Sequence, residues 1–352
     1  MFTRIYSYLN FNIWLIVNDH YTPNQQYPNA KHSTFDLTGY IQQLSVSFHK
    51  SIVNQTCLIE PQIGWAIHGR TIIAESYAFW TNVRSGWPPL PSLLRSLNPF
   101  KKTRTLDKAV SFHYGWNNYY HFFADTLPQI KYWQSLNKKD IPWIVPDYIK
   151  NIEFVQAYIA QDPIFEGQEI IYQSSEEYIR VLCETHFIKR SRVGSVELQS
   201  IVDQCLSKLT KKTSKSDKKI FLIRKGYRSA TNLNEIISIA TSHGFEPIQT
   251  DHMSLANQVE LFSNTRWLIG FHGAGLTNMI FRKDRKMSVL ELFPKNKIPL
   301  HYWHLTIDFE FNYSYLIGDD YVSKKSEQYH VDPSQFDQAI QRMLNEDPSL
   351  SL

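Results

Sequence analysis

The sequence is poor in the residues on which small disulfide-rich and fibrous proteins depend. It has three cysteines, Cys57, Cys183 and Cys205, and no Cys-x-x-Cys pair, which argues against a zinc knuckle or a disulfide framework. Its 13 glycines and 16 prolines are too few for collagen-like or low-complexity repeats. The formal net charge is only +4, less than nucleic-acid-binding proteins usually carry. We therefore expect no nucleic-acid partner.

A long apolar run is also missing. Residues 1–17 contain several apolar side chains, but Arg4, Asn10 and Asn12 interrupt them. A membrane-spanning helix needs about 20 predominantly apolar residues, and a signal peptide needs a clean apolar stretch with a small-residue cleavage site. We therefore expect a soluble protein of a reducing compartment.

Apolar residues are nevertheless plentiful, at 43% of a 352-residue chain. This length and composition predict about two domains with hydrophobic cores. No internal repeat is evident. Alternating apolar and polar residues predict strands between residues 38 and 80, and the Pro-, Ser- and Lys-rich residues 85–107 predict a loop.

From residue 108 onward, strand and helix patterns alternate. Pro128 is expected to kink or reset the first helix. Strands alternating with helices indicate a parallel sheet with helical crossovers. The predicted strands are Ala109–His113 and Trp143–Val145, and the predicted helices are Tyr119–Leu136, Ile149–Ala160 and an amphipathic helix from Leu198 to Leu209.

The polar, charged residues 211–219 are the best candidate linker, and the alternation restarts after them. Two α/β domains with a cleft between them are therefore expected. The predicted boundaries are 1–107 for a strand-rich region belonging to the N-terminal domain, 108–210 for the α/β part of that domain, 211–219 for the linker, 220–330 for the C-terminal domain and 331–352 for a C-terminal helix and tail.

The sharpest feature is the segment Gly270–Asn278, which reads Gly-Phe-His-Gly-Ala-Gly-Leu-Thr-Asn between a predicted strand and a predicted helix. Glycines at such a turn let backbone N–H groups approach an anion, and the helix N-terminus adds positive potential. The segment predicts a diphosphate site, with a tight turn that binds nothing as the alternative. The residues assigned to the site are His272, Gly273, Ala274, Gly275, Leu276, Thr277 and Asn278.

Three charged residues stand near the ends of predicted strands in the same domain. Arg224 follows the strand Ile220–Ile223, and Arg228 comes four residues later. Ligands of open α/β sheets bind at the carboxyl ends of the strands, so both guanidinium groups are candidates for holding the diphosphate. Glu291 ends the predicted strand Val289–Leu290, where a carboxylate can accept hydrogen bonds from ribose hydroxyls. An ordinary surface position is the alternative for Arg228 and for Glu291.

His121 and Asp125 are four residues apart on one face of a predicted helix. The helix dipole near His121 disfavours the imidazolium form, and a neutral histidine can act as a general base. Asp125 then either orients His121 or is itself the base; the alternative is a half-buried helix without a catalytic role. Trp116, Asn118 and Tyr120 are candidates for binding an acceptor sugar, although core packing competes for the aromatic residues.

No metal site is predicted. The sequence has no Asp-x-Asp motif, and its nearest equivalent, Asp308-Phe-Glu310, falls in a predicted strand. His301 and His304 have no evident third ligand. A catalytic divalent ion is therefore not expected.

Together, the segments resemble glycosyltransferase family 61 over about residues 108–316. The His-Gly-Ala-Gly-Leu-Thr-Asn stretch is specific to that family, and the His-x-x-x-Asp-x-Leu-Pro stretch is moderately so. The matching segments stand in the family's order: Gly115–Pro128, Arg224 with Arg228 and Asn234-Glu235, Gln258–Phe262, Gly270–Asn278 and Val289–Pro294.

The resemblance implies the GT-B fold, in which two Rossmann-like domains face each other across a cleft, here with a strand-rich N-terminal extension. It also implies inversion at the transferred sugar without a metal or other cofactor. By resemblance, Arg224 and the glycine turn bind the diphosphate of a nucleotide sugar, preferably a UDP-sugar, and Glu291 binds its ribose. The helix with His121 and Asp125 would face the acceptor, a glycan or a lipid-linked glycan.

Animal members carry secretion or anchor signals and paired cysteines, which this sequence lacks. It therefore resembles a bacterial member that builds capsule, lipopolysaccharide or exopolysaccharide in the cytoplasm, in peripheral association with the inner face of the membrane. Two alternatives stay open: a catalytically inactive nucleotide- or glycan-binding protein of the same fold, and a nucleotide-sugar epimerase or dehydrogenase. The second would need a Gly-x-Gly-x-x-Gly motif, which is absent.

Overall fold

The computed structural model describes residues 6–8, 11–14, 48–69, 71–73, 76, 98–190, 196–210, 217–282, 286–299, 301–321, 323 and 326–345. They form two compact units. The described residues up to 190 belong to the N-terminal unit, and those from 196 onward belong to the C-terminal unit. Both units combine one sheet with helices, as the α/β prediction requires. The predicted features at residues 15–47, 77–97, 211–216 and 346–352 lie outside the described residues.

The N-terminal unit is built on a ten-stranded sheet. Its path runs β1-β2-β6-β5-β4-β10-β7-β8-β9, and β3 also pairs with β10. The strands are β1 (Tyr6–Tyr8), β2 (Phe11–Trp14), β3 (Phe48–Val53), β4 (Cys57–Ile59), β5 (Ala66–His68), β6 (Thr71–Ile73), β7 (Thr103–Ser111), β8 (Trp143–Pro146), β9 (Ile170–Gln173) and β10 (Tyr178–Arg190).

In the alternating part, strands β10, β7, β8 and β9 are parallel to one another, as the sequence predicts. The whole sheet is nevertheless mixed, because β10 also pairs antiparallel with β3 and β4 of the strand-rich region. The 13-residue strand β10 thus joins the strand-rich N-terminal region to the α/β part. The predicted loop at 85–107 is wrong at its end, because Thr103 begins β7. Pairing with β10 and the β-branched residues Thr103 and Thr105 favour the extended conformation there.

The predicted helix Tyr119–Leu136 is broken into three pieces. Helix α1 (Tyr119–His121) runs into a π-helical turn (Phe122–Thr126), which leads into α2 (Leu127–Ser135). Pro128 lies in the first turn of α2, where its missing N–H costs no hydrogen bond within that helix. Of the two predicted effects of Pro128, a kink or a reset, the structure shows the reset: the wide π-helical turn ends and α2 begins beside the proline. A 3-10 helix (Asp147–Asn151) and α3 (Glu153–Gln161) complete the helices described in this unit.

The C-terminal unit has a five-stranded, all-parallel sheet in the order β12-β11-β13-β14-β15. Its strands are β11 (Lys218–Leu222), β12 (Glu246–Ile248), β13 (Thr265–Phe271), β14 (Ser288–Pro294) and β15 (Asn312–Gly318). Its helices are α4 (Val196–Leu209), α5 (Leu233–Ser242), α6 (Leu255–Ser263), a 3-10 helix (Ala274–Arg282), α7 (His301–Asp308) and α8 (Pro333–Asn345).

Alternation along the strands divides the side chains between the two faces of this sheet. Leu290 and Leu292 of β14 enter the hydrophobic cluster that includes α5 and α8. Val289 and Glu291 therefore lie on the opposite face. The parallel register brings the carboxyl ends of β11, β13 and β14 to one edge, where Arg224 and His272 follow their strands.

Helix α4 belongs to the C-terminal unit, although the sequence assigns residues 196–209 to the N-terminal domain. Its apolar stripe has the predicted members, and Leu198, Ile201 and Val202 are fully buried where α4 packs near α6. Spacing alone predicts the buried face of a helix but not the unit against which that face packs. The last residues of the predicted linker, Lys218 and Lys219, already belong to β11.

Candidate active site

In the N-terminal unit, His121 and Asp125 form a close pair. Nδ1 of His121 lies 2.7 Å from Oδ2 of Asp125, and both side chains are about a quarter exposed, at 22% and 24%. The side chain of Asn118 accepts a hydrogen bond from the backbone N–H of His121 at 3.2 Å, which caps α1. The predicted four-residue spacing thus brings the two groups into contact.

Gly115 fixes the loop that leads into this helix. Its φ is +88°, and a Cβ there would overlap Oγ1 of Thr126. That hydroxyl donates to the carbonyl of Tyr114 at 2.7 Å, so the loop closes over the π-helical turn that carries Asp125. A positive φ and the close approach both require glycine at this position.

The pair can do acid–base chemistry. When Asp125 accepts a hydrogen bond from Nδ1–H, the imidazole is held in one tautomer and Nε2 is left as a proton acceptor. The partial exposure of both groups gives a substrate hydroxyl access to them. Of the two predicted roles for Asp125, this geometry fits the one in which it orients His121, and the catalytic role of the pair stays a prediction.

The three candidate acceptor residues differ in exposure. Trp116 is fully buried, and its indole N–H donates to the carbonyl of Phe112 at 2.6 Å. A buried ring has no free face for a sugar, so the acceptor role predicted for Trp116 does not fit this structure, and core packing explains the residue. Tyr120 is half-buried with its ring 5.2 Å from that of His121, and Asn118 is exposed.

In the C-terminal unit, Arg224 lies across the glycine turn. It follows β11 by two residues, and its Nη1 donates to the carbonyl of His272 at 3.3 Å. A Cβ at Gly273 would overlap Nη1 of Arg224, so only glycine leaves room for the guanidinium group. Burial, together with the charge of Arg228, lowers the pKa of Arg224. An arginine pKa starts so high that the group stays cationic.

A second group of charges lines a small open cavity beside His272. Nε of Arg228 lies 2.6 Å from one oxygen of Glu327, and Nζ of Lys297 lies 2.7 Å from the other. Arg228 adopts a positive φ of 54°, which is uncommon for a residue with a side chain. Lys297 and Glu327 were missed in the sequence. The signal for Lys297 is its position three residues after the end of β14.

His272, Glu291 and Tyr313 form a buried network on neighbouring strands. Nδ1 of His272 lies 2.7 Å from Oε1 of Glu291, and the Tyr313 hydroxyl donates to Oε2 at 2.8 Å. Burial and the nearby charges of Arg228, Lys297 and Arg224 lower the pKa of His272 to about 3. Burial raises the pKa of Glu291 well above its usual value, against the effect of the Tyr313 hydrogen bond.

Glu291 does not end its strand, because β14 continues to Pro294. Its side chain is 0% exposed, and both carboxyl oxygens have protein partners. The ribose contact therefore stays a prediction that this geometry does not favour. The spacing of His272 and Glu291 in the sequence gives no sign that they touch; the register that pairs Gly270 with Glu291 brings them together.

The rest of the glycine segment forms the start of a 3-10 helix, Ala274–Arg282, where the sequence predicts a helix from Thr277. Leu276, Thr277 and Asn278 are fully buried, and Nδ2 of Asn278 donates to Oε1 of Gln258 at 2.9 Å. Their side chains are therefore part of the packed interior beneath the turn. The expectation that Thr277 and Asn278 supply hydrogen-bond donors to a ligand is wrong for these buried side chains. Within the turn, the partly exposed residues are Ala274 and Gly275, so the backbone there is the part that a ligand could reach.

In the part of the chain that the structure describes, no group of three or more His, Cys, Asp or Glu side chains could hold a metal ion. The Asp308-Phe-Glu310 segment lies at the end of α7 and not in a strand. Among the described helices, none is both long and apolar enough to cross a bilayer.

Comparison with known proteins identifies the family. Residues 119–289 match the family model described as Glycosyltransferase 61, while a search of curated proteins finds no match. The matched segment contains His121, Asp125, Arg224 and the whole glycine turn. Residues 119–289 of the chain therefore form a region of glycosyltransferase family 61.

Proposed function

We propose that the protein transfers a sugar from a nucleoside-diphosphate sugar, with a UDP-sugar as the first candidate, to a hydroxyl group of a glycan or lipid-linked glycan. We also propose the GT-B arrangement of its two units, inversion at the anomeric carbon and independence from metal ions. The observation that carries the proposal is the group of cations beside the glycine turn in the C-terminal unit.

The donor half of the proposal rests on charge. Arg224 lies on the glycine turn, and Arg228 and Lys297 line the adjacent cavity. A diphosphate gains negative charge as its bond to the sugar breaks, so fixed cations and backbone N–H groups stabilise the transition state more than the ground state. These protein groups supply the positive charge that a divalent ion supplies in metal-dependent phosphate chemistry.

The acceptor half rests on the His121–Asp125 pair. Nε2 of His121 takes the proton of the acceptor hydroxyl, and Asp125 stabilises the imidazolium that forms. The acceptor oxygen forms a bond to the anomeric carbon as the carbon–oxygen bond to the diphosphate breaks, and the electron pair of that bond leaves with the nucleoside diphosphate. Attack from the side opposite the leaving group inverts the anomeric centre.

The broader setting follows from the family resemblance. We propose a bacterial enzyme of capsule, lipopolysaccharide or exopolysaccharide synthesis that works in the cytoplasm, in peripheral contact with the membrane where its acceptor is lipid-linked. The sugar, whether a hexose or a pentose, is decided by the donor screen below.

The first test is a thermal-shift screen of the purified chain against nucleoside diphosphates and nucleotide sugars. A ligand at a hundredfold excess over its Kd stabilises by about 2.7 kcal/mol, which is easily measured. Any donor that binds is then assayed for transfer to glycan acceptors, and NMR of the product gives its anomeric configuration. Arg224→Ala is the matched control, because it should lose the shift caused by the nucleotide. Absence of a shift with every nucleotide would contradict the proposal.

A further inference from the structure

Three side chains from consecutive strands of the C-terminal sheet lie on one face of it. Glu291 of β14 pairs in register with Gly270 of β13 and with Tyr315 of β15. Tyr313 is two residues before Tyr315, and His272 is two residues after Gly270, so the three polar side chains form a diagonal row. Gly270 has no side chain, and Leu276 packs so closely against it that a Cβ there would overlap the leucine side chain.

The middle member of this row is the most buried. Glu291 is 0% exposed and His272 only 12% exposed. Within the described residues, no arginine or lysine forms an ion pair with Glu291; its partners are His272 and Tyr313. A buried carboxylate without a cation is costly, and such a group keeps its proton instead.

Cations surround the histidine rather than the glutamate. The charged or titratable groups that face the row are Arg224, Arg228, Lys297 and Glu327 near His272, His301 and Tyr302 of α7 against its ring, and Tyr329 near Glu291. Burial first, and then their net positive charge, lowers the pKa of His272 and keeps the imidazole neutral.

A neutral histidine allows two positions for the proton in the 2.7 Å contact between Nδ1 and Oε1. If Nδ1 carries it, Glu291 is a buried carboxylate and Nε2 is an acceptor, which offers nothing to an anionic ligand. If Oε1 carries it, both groups are neutral, and Nε2–H is a donor on the side of the ring away from Glu291. The complete burial of Glu291 favours the second arrangement, and only that arrangement gives an anionic ligand a donor.

We infer that Glu291 is a neutral carboxylic acid that donates its proton to Nδ1 of His272, so that Nε2–H of His272 donates a hydrogen bond to the diphosphate of the sugar donor. Tyr313 is the positioning residue of this arrangement: its hydroxyl donates to Oε2 and thereby leaves Oε1 as the protonated oxygen. The inference rests on the proposed function for the identity of the ligand, but the position of the proton is a property of the free protein.

The first experiment measures that proton directly. The protein is labelled with ¹⁵N-histidine, and the ring signals of His272 are assigned by their loss in His272→Asn. Ring-nitrogen shifts at pH 7 then show which nitrogen is protonated. We expect Nε2–H in the ligand-free protein. A proton on Nδ1 would overturn the inference, whether or not any nucleotide binds.

The second experiment measures binding of UDP and of inorganic pyrophosphate by calorimetry. Glu291→Gln is the rescuing variant, because its amide can donate to Nδ1 while its carbonyl accepts from Tyr313, as the acid does. We expect Glu291→Gln to keep UDP affinity within about twofold and to keep the Nε2–H tautomer. Tyr313→Phe should weaken UDP binding by roughly three- to tenfold, the loss of one ordinary hydrogen bond.

Tyr315→Phe is the matched control, because it removes a hydroxyl from the same face of β15 that does not bond to Glu291. It should leave both affinity and tautomer unchanged. A tenfold or larger loss in Glu291→Gln would overturn the inference, since it would mean that the carboxylate charge is needed. If the wild-type protein bound neither UDP nor pyrophosphate, the proposed function would fail together with the assignment of the diphosphate as ligand, and the tautomer would still be decided.

Discussion

Gly273→Ala is expected to weaken nucleotide binding without unfolding the protein. A Cβ at this position would overlap Nη1 of Arg224, the far end of a flexible side chain. Gly273 is not among the residues with a positive φ, so alanine strains the backbone little. The methyl group therefore displaces the guanidinium group rather than the turn. Because only this flexible side chain has to move, the free energy of unfolding should change by less than about 1 kcal/mol.

The size of the binding loss follows from the contact that is removed. A hydrogen bond to a charged group contributes about 1.5–3 kcal/mol, which corresponds to a roughly ten- to hundredfold change in Kd. Arg224→Ala should lose the same amount. Because the alanine at 273 acts by moving Arg224, the two losses should not add, and the double variant should bind UDP about as weakly as either single one.

The assay is a double-mutant cycle of UDP Kd values, with thermal unfolding measured for all four proteins. The cycle contains its own control: in the Arg224→Ala background, the methyl group meets no guanidinium and should have little further effect. Additive losses would show that Gly273 itself contacts the ligand, for example through its backbone N–H. An unchanged affinity in Gly273→Ala would refute the placement of the diphosphate beside Arg224.

Three further outcomes are expected. His121→Ala and Asp125→Ala should each cut turnover by about 10²–10⁴-fold at unchanged UDP affinity, and the double variant should be little worse, as steady-state kinetics and calorimetry would show. Transfer should persist in EDTA, and its loss with restoration by magnesium would contradict metal independence. Burial lowers the pKa of His113 to about 4. A lowered histidine pKa stabilises the fold above the unfolded-state value near pH 6.5, and this stability is lost as the pH falls towards 4. Urea unfolding at pH 7 and at pH 5 measures how much unfolding free energy each protein loses between the two pH values. This loss should be about 2 kcal/mol smaller in His113→Gln than in the wild type or in the exposed control His252→Gln.

Local sequence patterns predicted the alternation of strands and helices in the C-terminal unit. The apolar run Ile220–Ile223 and the apolar stripe from Leu198 to Leu209 each indicate burial by a period that is visible within one segment. The N-terminal sheet was harder to predict, since β10 is a strand by virtue of its pairing with β3, β4 and β7. Long-range pairing of this kind leaves no periodic signal in the sequence of β10, because charged residues such as Arg180, Glu184 and Lys189 interrupt its apolar pattern.

The candidate site likewise contains contacts that a local pattern predicts and contacts that only long-range pairing creates. His121 and Asp125 are four residues apart, so helical periodicity alone predicts their contact. His272 and Glu291 meet through the register of two strands, and Glu327 reaches Arg228 across 99 residues. A sequence reveals that such residues carry chemistry but not which of them touch. For the same reason, Glu291 was assigned to an edge that ligands reach, although it lies beneath that edge.

The protonation of Glu291 decides the charge that the C-terminal unit offers to a leaving diphosphate. Arg224, Arg228 and Lys297 supply positive charge, and Glu327 offsets part of it through its two ion pairs. An ionised Glu291 would offset more, from a buried position where water screens it poorly. A protonated Glu291 instead adds no charge and turns His272 into one more donor. A buried acid behind the histidine therefore serves an anion site better than a carboxylate would, and Tyr313 gives that acid a fixed orientation.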